Sequence, residues 1–326
     1  MCAVVDLNQT LLPSHPLQNY TCENDSSGAV QTLNDPYEGE LFTWWLYFYG
    51  ELSHHDREQL WLYKRPQLLA VNYTGSIVNT SASYPIATNF SGDPVIGKSI
   101  GPITVQKGFW FSAREQWKLL EMPYLDVPIV KRVFHNAERV RTCNSVLMGN
   151  NPGLFASVNN ITDPITGEIV GYISAAGVPS VSVQQEQELD VITPYGVFPT
   201  LLFNQSVGLK WYKNMLDGKG MQNPYGSSES LRRDGTGISA FVSWDSKTTT
   251  LVALLGGVSG FVRDKMKAEG IYDTFTQVQQ SEYGRVFGKA SGRKLLGEDV
   301  DLCLPAVSVP VRNITDFTMC STPNQS

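Results

Sequence analysis

The chain has few of the residues that hold metals, and none in a metal-binding array. Its four histidines, His15, His54, His55 and His135, and its five cysteines show no ligand spacing, so neither a metal site nor a cofactor is expected. No block of lysine and arginine occurs and the formal net charge is -6, which excludes nucleic acid as the main partner. No apolar run approaches the roughly 18 to 20 residues that cross a bilayer. The first residues, MCAVVDLNQTLLPSHP, lack both a basic n-region and an apolar h-region and are not a signal peptide. There is no βαβ alternation, and no internal period of about 33 to 47 residues of the kind a helical solenoid requires.

What is present is apolar and aromatic material, 42% and 11% of 326 residues, enough for one large domain or two ordinary ones. With no strong charge of either sign, the ligand is expected to be neutral. Asn8, Asn19, Asn24, Asn72, Asn79, Asn89, Asn160, Asn204, Asn313 and Asn324 each begin Asn-x-Ser/Thr. About three such sites would arise by chance, so the excess predicts a secreted glycoprotein whose true start lies upstream of Met1. In an oxidising compartment Cys303 and Cys320 can close one loop and Cys22 and Cys143 another, leaving Cys2 without a partner.

Residues 1–33 are polar and turn-rich and are read as a loop or remnant; a helical domain is expected over 34–326. Asn34 or Asp35 as N-cap, Pro36, and Glu38 at the capping-box position open a helix whose apolar run, Leu41 to Tyr49, ends at Gly50. Ser53 to Asp56 repeats the signature ahead of Arg57 to Lys64. From Leu68 to Phe111 short β-branched pieces with three sequons predict an exposed insertion containing a hairpin. Ser112 with Glu115 then predicts a capped helix through Leu120, and Asp126 a longer one up to Gly149. Phe155–Ile161 and Glu168–Ile173 make a second hairpin. Helices follow from Thr193-Pro194 to Phe203, Ser206 to Leu216, Ser246 to Leu255 and Ser259 to Glu269. Many modest helices with two hairpin excursions fit a ring of paired helices, an (α/α) toroid, better than a solenoid.

Chemistry concentrates at three helix-start regions. NDPYEGE sets Asp35, Glu38 and Glu40 together; QKGFWFSAREQWKLLEMPYLD mixes Trp110, Glu115, Trp117, Glu121 and Asp126; and the stretch from Gln222 to Gly257 carries Tyr225, Arg232, Arg233, Asp234 and Asp245 among glycines. Paired carboxylates with flat rings are what glycosidic cleavage needs: one acid for the leaving oxygen, one carboxylate for water, and rings on which sugar faces stack. Each has a plainer explanation. Glu38 and Glu115 occupy capping-box positions, Trp110 and Trp117 suit a core, and Arg114 and Arg233 suit surface ion pairs.

The segments NDPYEGEL, TVQKGFWFSAREQWKLLEMPYLDV, RVFHNAERVRTCNS, ELDVITPYGVFPTLLFN and GLKWYKNM…KGMQNPYGSSES…DGTGISAFVSWDSKTTTLVALLGGV, from about Asn34 to about Pro305, resemble the fungal endo-β-1,2-glucanases of glycoside hydrolase family 162. The resemblance implies a mainly α (α/α)6-barrel, secretion, and inverting hydrolysis of linear β-1,2-glucan to sophoro-oligosaccharides by a monomer without cofactor. It also implies a glutamate as general acid and a distant aspartate that activates water through a substrate hydroxyl. The acid then falls on Glu38 or Glu40 and the base on Asp234, with Asp245 in reserve; Trp110, Glu115, Tyr195, Tyr225, Arg233 and Asp245 are the substrate-binding candidates. About nine or ten helices are legible where the barrel has twelve, so its N-terminal helices are expected to be missing. The alternatives are another carbohydrate-active toroid, such as a different glucanase or a lyase, and a glycan-binding protein without a working acid. The sequon excess makes one expectation testable at once. Protein from the native host should lose apparent mass on endoglycosidase treatment, and an unchanged band from a cytosolic fraction would refute secretion.

Overall fold

The computed structural model describes residues 38–64, 68–75, 100–148, 153–156, 160–162, 169–172, 176–217, 221–233, 235, 238–239, 243–288, 292 and 294–305. The architecture is mainly helical. The first two described helices, α1 (Glu38–Tyr49) and α2 (His54–Lys64), pack together, and α2 starts where Ser53 Oγ accepts from the Asp56 amide at 3.2 Å. After the hairpin β1 (Ala70–Gly75) and β2 (Ile100–Gln106) come the single turn α3 (Lys118–Glu121) and the 20-residue α4 (Pro128–Leu147). The hairpin β3 (Asn160–Thr162) and β4 (Ile169–Tyr172) precedes the two-residue strand β5 (Val191–Ile192). Helices α5 (Phe198–Phe203) and α6 (Gln205–Leu216) follow, then the strands β6 (Gln222–Asn223), β7 (Gly226–Ser227) and β8 (Leu231–Arg232). The series closes with α7 (Trp244–Leu254), α8 (Ser259–Ala268) and α9 (Tyr272–Phe287). Every sheet among the described residues has two antiparallel strands; β5 pairs with β8 across the chain, Val191 opposite Arg232.

Helix α4 is the pillar. Pro128 suits its first position, lacking an amide that no helical carbonyl would use. Ile129, Val130, Val133, Phe134, Ala137 and Val140 recur at helical spacing and are buried. One side of the pillar meets β1–β2, whose register sets Asn72 opposite Thr104. The other meets α9 and the aromatic end of α1. There Trp44 is 1% exposed and packs against Trp61 and Phe275, with ring centres 4.8 and 4.6 Å away, while its Nε1 donates to the Tyr124 hydroxyl at 2.9 Å. A side chain so buried contributes about 2 to 3 kcal/mol.

Residues 294–303 cross α4 as a strap. Asn136 Nδ2, fully buried, donates to Thr104 O and Leu296 O, both at 2.8 Å, joining helix, strand and strap. Arg132 pairs with Glu298, and Trp211 Nε1 donates to Cys303 O at 2.8 Å, bringing α6 to the same strap. Gly297 has φ +78°, and a Cβ there would meet Ile103 at 2.6 Å, so the strap lies flat on β2 only as glycine. Cys143 of α4 is bonded to Cys303, with Cα atoms 4.8 Å apart. The expected Cys22–Cys143 and Cys303–Cys320 pairings are therefore corrected. Sequence distance is a poor guide to a bridge when the strap brings together residues 160 apart.

Several helix starts also differ from expectation. Ser112 and Glu115 form no capping box: a 3-10 turn, Arg114–Gln116, leads into the four-residue α3, neither has a side-chain cap, and Glu115 bonds backwards to Trp110 and Phe111. Asp126 does not cap α4, whose N-cap is Val127; instead it pairs with Arg263 and accepts from Tyr272 at 2.8 Å. Ser243, not Ser246, caps α7, and Asn204 caps α6 by accepting from the Val207 amide at 3.1 Å. Helix α9 was not expected at all, because Gln279 and Glu282 interrupt its apolar face and yet are buried. The helices from 54 to 64 and from 205 to 216 agree with the sequence reading; the second hairpin is present, but its first strand is Asn160–Thr162 and not Phe155–Ile161. The first helix agrees over Leu41 to Tyr49; its cap at Asn34 or Asp35 lies outside the described residues.

Peptide mapping without reduction should yield Cys143 and Cys303 in one cross-linked fragment. The chain-entropy model assigns a bridge over this separation about 5 kcal/mol, so Cys143→Ser should lower the midpoint of denaturant unfolding well below that of the oxidised parent. An unchanged midpoint would show that the strap is held without the bond.

Candidate functional site

Glu40, Glu138 and Glu229, three of the buried carboxylates among the described residues, are each matched to a cation. Glu40, on the inward face of α1, accepts from Lys118 Nζ at 2.6 Å and from the Tyr124 hydroxyl at 2.6 Å. Lys118, itself 1% exposed, stands 4.9 Å from the Phe134 ring centre and 5.2 Å from that of Tyr124. Burial, with the Glu40 charge adding to it, pushes the phenols of Tyr124 and Tyr283 well above their usual range, so both remain hydrogen-bond donors. Glu138, fully buried on α4, accepts from Gln116 Nε2 at 2.7 Å, from Thr200 Oγ1 at 2.5 Å and, through both oxygens, from Arg141 Nη1 at 2.9 Å. Arg141 spends its other arm on Phe155 O and Gly196 O, at 3.0 and 2.6 Å. Glu229, before β8, takes the Ser243 amide at 2.7 Å, Ser246 Oγ at 2.6 Å and Lys247 Nζ at 3.0 Å on one oxygen.

Between the first two clusters lies a cavity lined by Gln106, Gly108, Ser112, Glu115, Gln116 and Lys118 among others. It encloses about 30 Å³, room for one or two water molecules and far below the roughly 300 Å³ of a small-molecule pocket. Glu115 at its wall accepts from the Trp110 and Phe111 amides at 2.6 and 2.7 Å. Phe111 adopts φ +56°, an uncommon conformation for a bulky residue, and Gly108 approaches so closely that a Cβ there would lie 2.2 Å from Glu115 Oε2. The segment 108–116 is thus wrapped around the Glu115 carboxylate.

The sequence candidates divide into two groups. Glu40 meets Lys118 and Glu115 lines the adjoining cavity, while Trp110 is joined to Glu115 through its backbone amide and has the Arg114 guanidinium 5.5 Å from its ring centre. Tyr225, Arg233 and Asp245 lie in the 221–247 stretch with Glu229. Tyr225 is 70% exposed in the turn between β6 and β7, and Gly226 beside it abuts the Lys247 side chain. Asp245 is exposed in the first turn of α7, where a carboxylate suits the helix dipole. Arg232 is paired with Asp190 at 2.5 Å. Tyr195 is a core residue, packed in the same cluster as Leu154 and Phe198. The Glu38 side chain and Asp234 lie outside the described residues. Among the histidines, His135 stacks on Phe203 at 5.0 Å; burial, helped by Arg139 and Lys131, lowers it to about 4. Its role is in packing. No group of three potential metal ligands occurs among the described residues.

Glu138, Arg141 and Glu229 were not among the sequence candidates. A signal for the first two existed, since a charged pair three residues apart interrupts an otherwise apolar helix stripe. For Glu229 in the run SSES no such contrast exists.

The domain is mainly helical, with Glu40 and Glu138 on its helices and Trp110 and Tyr225 on the segments between its elements. The sequence profile described as endo-beta-1,2-glucanase SGL matches residues 1–84 and 94–321, and the chain belongs to that family. The break at 85–93 contains the sequon Asn89, so most of the expected insertion over 68–111 is family sequence. Among solved structures, the chain is similar to the endo-beta-1,2-glucanase of Talaromyces funiculosus in complex with sophorose, and to a glutamate-to-glutamine variant of that enzyme with beta-1,2-glucan. For both, the identity is 56% and the TM-score 0.77, over 94% of this chain and 55% of the other. The chain thus spans about half the length of the solved chains it matches. No significant match is found among curated proteins.

The buried pairs give a stability prediction. Glu138→Gln leaves the Arg141 charge uncompensated and should cost about 3 to 5 kcal/mol in denaturant unfolding, whereas Glu138→Leu combined with Arg141→Met should recover most of that loss. If the single and double variants unfold alike, the pair does not act as a unit.

Proposed function

We propose that this polypeptide forms the greater part of the catalytic domain of an endo-β-1,2-glucanase with an (α/α)6-barrel fold. The enzyme cleaves linear β-1,2-glucan to sophoro-oligosaccharides with inversion at the anomeric carbon. The observation that carries the reading is the 56% identity, over 94% of this chain, to an enzyme solved with sophorose. A cofactor plays no part, and the partner is the glucan itself. Secretion and N-glycosylation follow from the sequon excess and are supported by the disulfide, which suits an oxidising compartment. Of the sequons within the described residues, Asn72 and Asn204 lie on the surface. A monomer is the expected state.

The proposed mechanism assigns the acid to the Glu38/Glu40 pair and water activation to Asp234, acting through a substrate hydroxyl. Inverting enzymes ordinarily hold their carboxyl groups about 6.5 to 9.5 Å apart, and a relay through the substrate lets the base stand further off. The two glutamates have different structural positions. Glu40 is tied to Lys118 and Tyr124, so whatever it does in catalysis, it also anchors α1. Glu38 begins that helix. Trp110, Tyr225, Arg233 and Asp245 are assigned to substrate binding, Glu115 to holding the Trp110 loop, and Tyr195 to supporting that surface from the core.

Reducing-sugar release from β-1,2-, β-1,3- and β-1,4-glucans tests the substrate; release from the first alone is expected. Cleavage of another glucan only, or binding without cleavage, would favour the other carbohydrate-active readings. In an active enzyme, Asp234→Asn should lose about 10²- to 10⁴-fold in rate at unchanged melting temperature. Glu40→Gln should lower the melting temperature in any case, because it removes the charge facing buried Lys118. Loss of rate in Glu38→Gln with its melting temperature intact identifies that residue as the acid; full activity there moves the role to Glu40. A rate collapse in Asp245→Asn with Asp234→Asn still active would overturn the base assignment. Proton NMR of the first product should show the α-anomer.

A further inference from the structure

Buried polar groups in folded proteins are nearly always hydrogen-bonded, and those that lack a protein partner mark places where something else is held. Two such groups belong to the wall of the cavity beside Glu115. Ser112 is 1% exposed and Gln116 4%, and neither Ser112 Oγ nor Gln116 Oε1 meets a hydrogen-bond partner within the protein. The bond on the other corner of the Gln116 amide fixes which end is left over. Its Nε2 is spent on Glu138 at 2.7 Å, so the carbonyl oxygen is what the side chain offers to the cavity. Lys118 lines the same space. Its Nζ donates to Glu40 at 2.6 Å and, at the longer distance of 3.4 Å, to the Tyr283 hydroxyl, which leaves the ammonium a third N–H.

The wall therefore offers an acceptor that cannot donate, a donor that cannot accept, and a hydroxyl that does either. A ligand that serves all three must donate and accept from one small centre. The space sets the size: about 30 Å³, where a water molecule needs about 10 to 15 Å³. A metal cation would stand against the Lys118 charge, and an anion against the Glu115 carboxylate and the Gln116 carbonyl, so the wall disfavours both.

We propose that this cavity is the binding site of a resident water molecule, held by Ser112 Oγ, Gln116 Oε1 and Lys118 Nζ. The water accepts from the ammonium and donates to the amide carbonyl, and Ser112 completes its shell. Its consequence is a connection. Gln116 serves Glu138 and Lys118 serves Glu40, so the water joins two buried ion pairs into one hydrogen-bonded network running from α4 through residues 112–118 to α1. Ser112 and Gln116 thereby act as positioning residues for the Lys118 ammonium, whatever substrate the enzyme takes.

A crystal structure of the 326-residue chain at about 1.5 Å tests occupancy directly. A density peak at roughly 2.5 to 3.2 Å from Ser112 Oγ, Gln116 Oε1 and Lys118 Nζ is expected, and a cavity without such a peak overturns the proposal. Melting tests the bonding. Ser112→Ala takes a partner from the water and should lower the melting temperature by roughly 2 to 4 °C; in a dry cavity it would remove an unmet hydroxyl and leave melting unchanged or raised. Gln116→Met loses both the Glu138 bond and the water. In that background Ser112→Ala should cost clearly less than it does in the parent, because both side chains serve one molecule, and additive costs would overturn the bridge. The Lys118 Nζ–H signal in lysine-selective ¹⁵N NMR should move in Ser112→Ala and stay in Thr250→Ala, whose hydroxyl bonds within α7. An Nζ–H signal that ignores Ser112→Ala overturns the link to Lys118.

Discussion

The bond between Glu138 and Arg141 is the constraint on which the interior depends. Both groups are on α4, three residues apart, and both have left water. Taking two charges into a core is costly unless each remaining donor and acceptor finds a partner. Here the partners come from four other places in the chain: Gln116 before α3, Phe155 after α4, Gly196 before α5 and Thr200 within it. The need to complete that pair fixes where these segments run. Apolar packing alone would tolerate them shifted by an ångström or two; a bidentate carboxylate with two carbonyls on the opposite arm does not.

The Glu40–Lys118 and Glu229–Lys247 pairs repeat the device on either side. The first holds α1 to α3 and α9, and the second holds the β7–β8 segment to the start of α7. The loops that carry Trp110, Tyr225 and Arg233 are consequently seated on charged, directional supports instead of on apolar contacts only. That is how a protein with irregular loops keeps side chains in a defined place, and the twist at Phe111, wrapped over Glu115, is a local instance.

Much of the fold was legible because helices of this kind announce themselves by period and punctuation. Leu41 to Tyr49 ended by Gly50, the run from Pro128 to Leu147, and the strands of the first hairpin all showed the spacing their burial requires. What escaped was polar burial. Helix α9 was overlooked because Gln279 and Glu282 sit on its inner face, and Glu138 because a charged residue on an apolar stripe looks like a flaw until its three partners are known. The cap residues misled in the same way: Glu115 and Asp126 stand where a capping carboxylate belongs, yet backward amides at 110 and 111, and Arg263 over a hundred residues away, compete for them and win. Burial alone would raise the Asp126 carboxyl, but hydrogen bonds from Arg263 and Tyr272 outweigh it and hold it below the ordinary range. For the candidate site, residue type was informative and position was not; Tyr195 looked like a stacking ring and is core.

The strap over α4 bears on how the protein is made. Cys143 leaves the ribosome 160 residues ahead of Cys303, an interval of roughly ten to thirty seconds at ordinary rates of synthesis. Throughout that time the pillar helix exists without the strand of chain that covers it, and its thiol, destined for a place with no solvent contact, is open to any oxidant or passing cysteine. The bond requires Leu296, Glu298 and Val300 to line up on Asn136, Arg132 and Arg139, so the redox state of one sulfur reports whether the strap has reached the pillar. A quality check that senses the accessible Cys143 thiol would, by that means, hold back copies in which the strap has not closed.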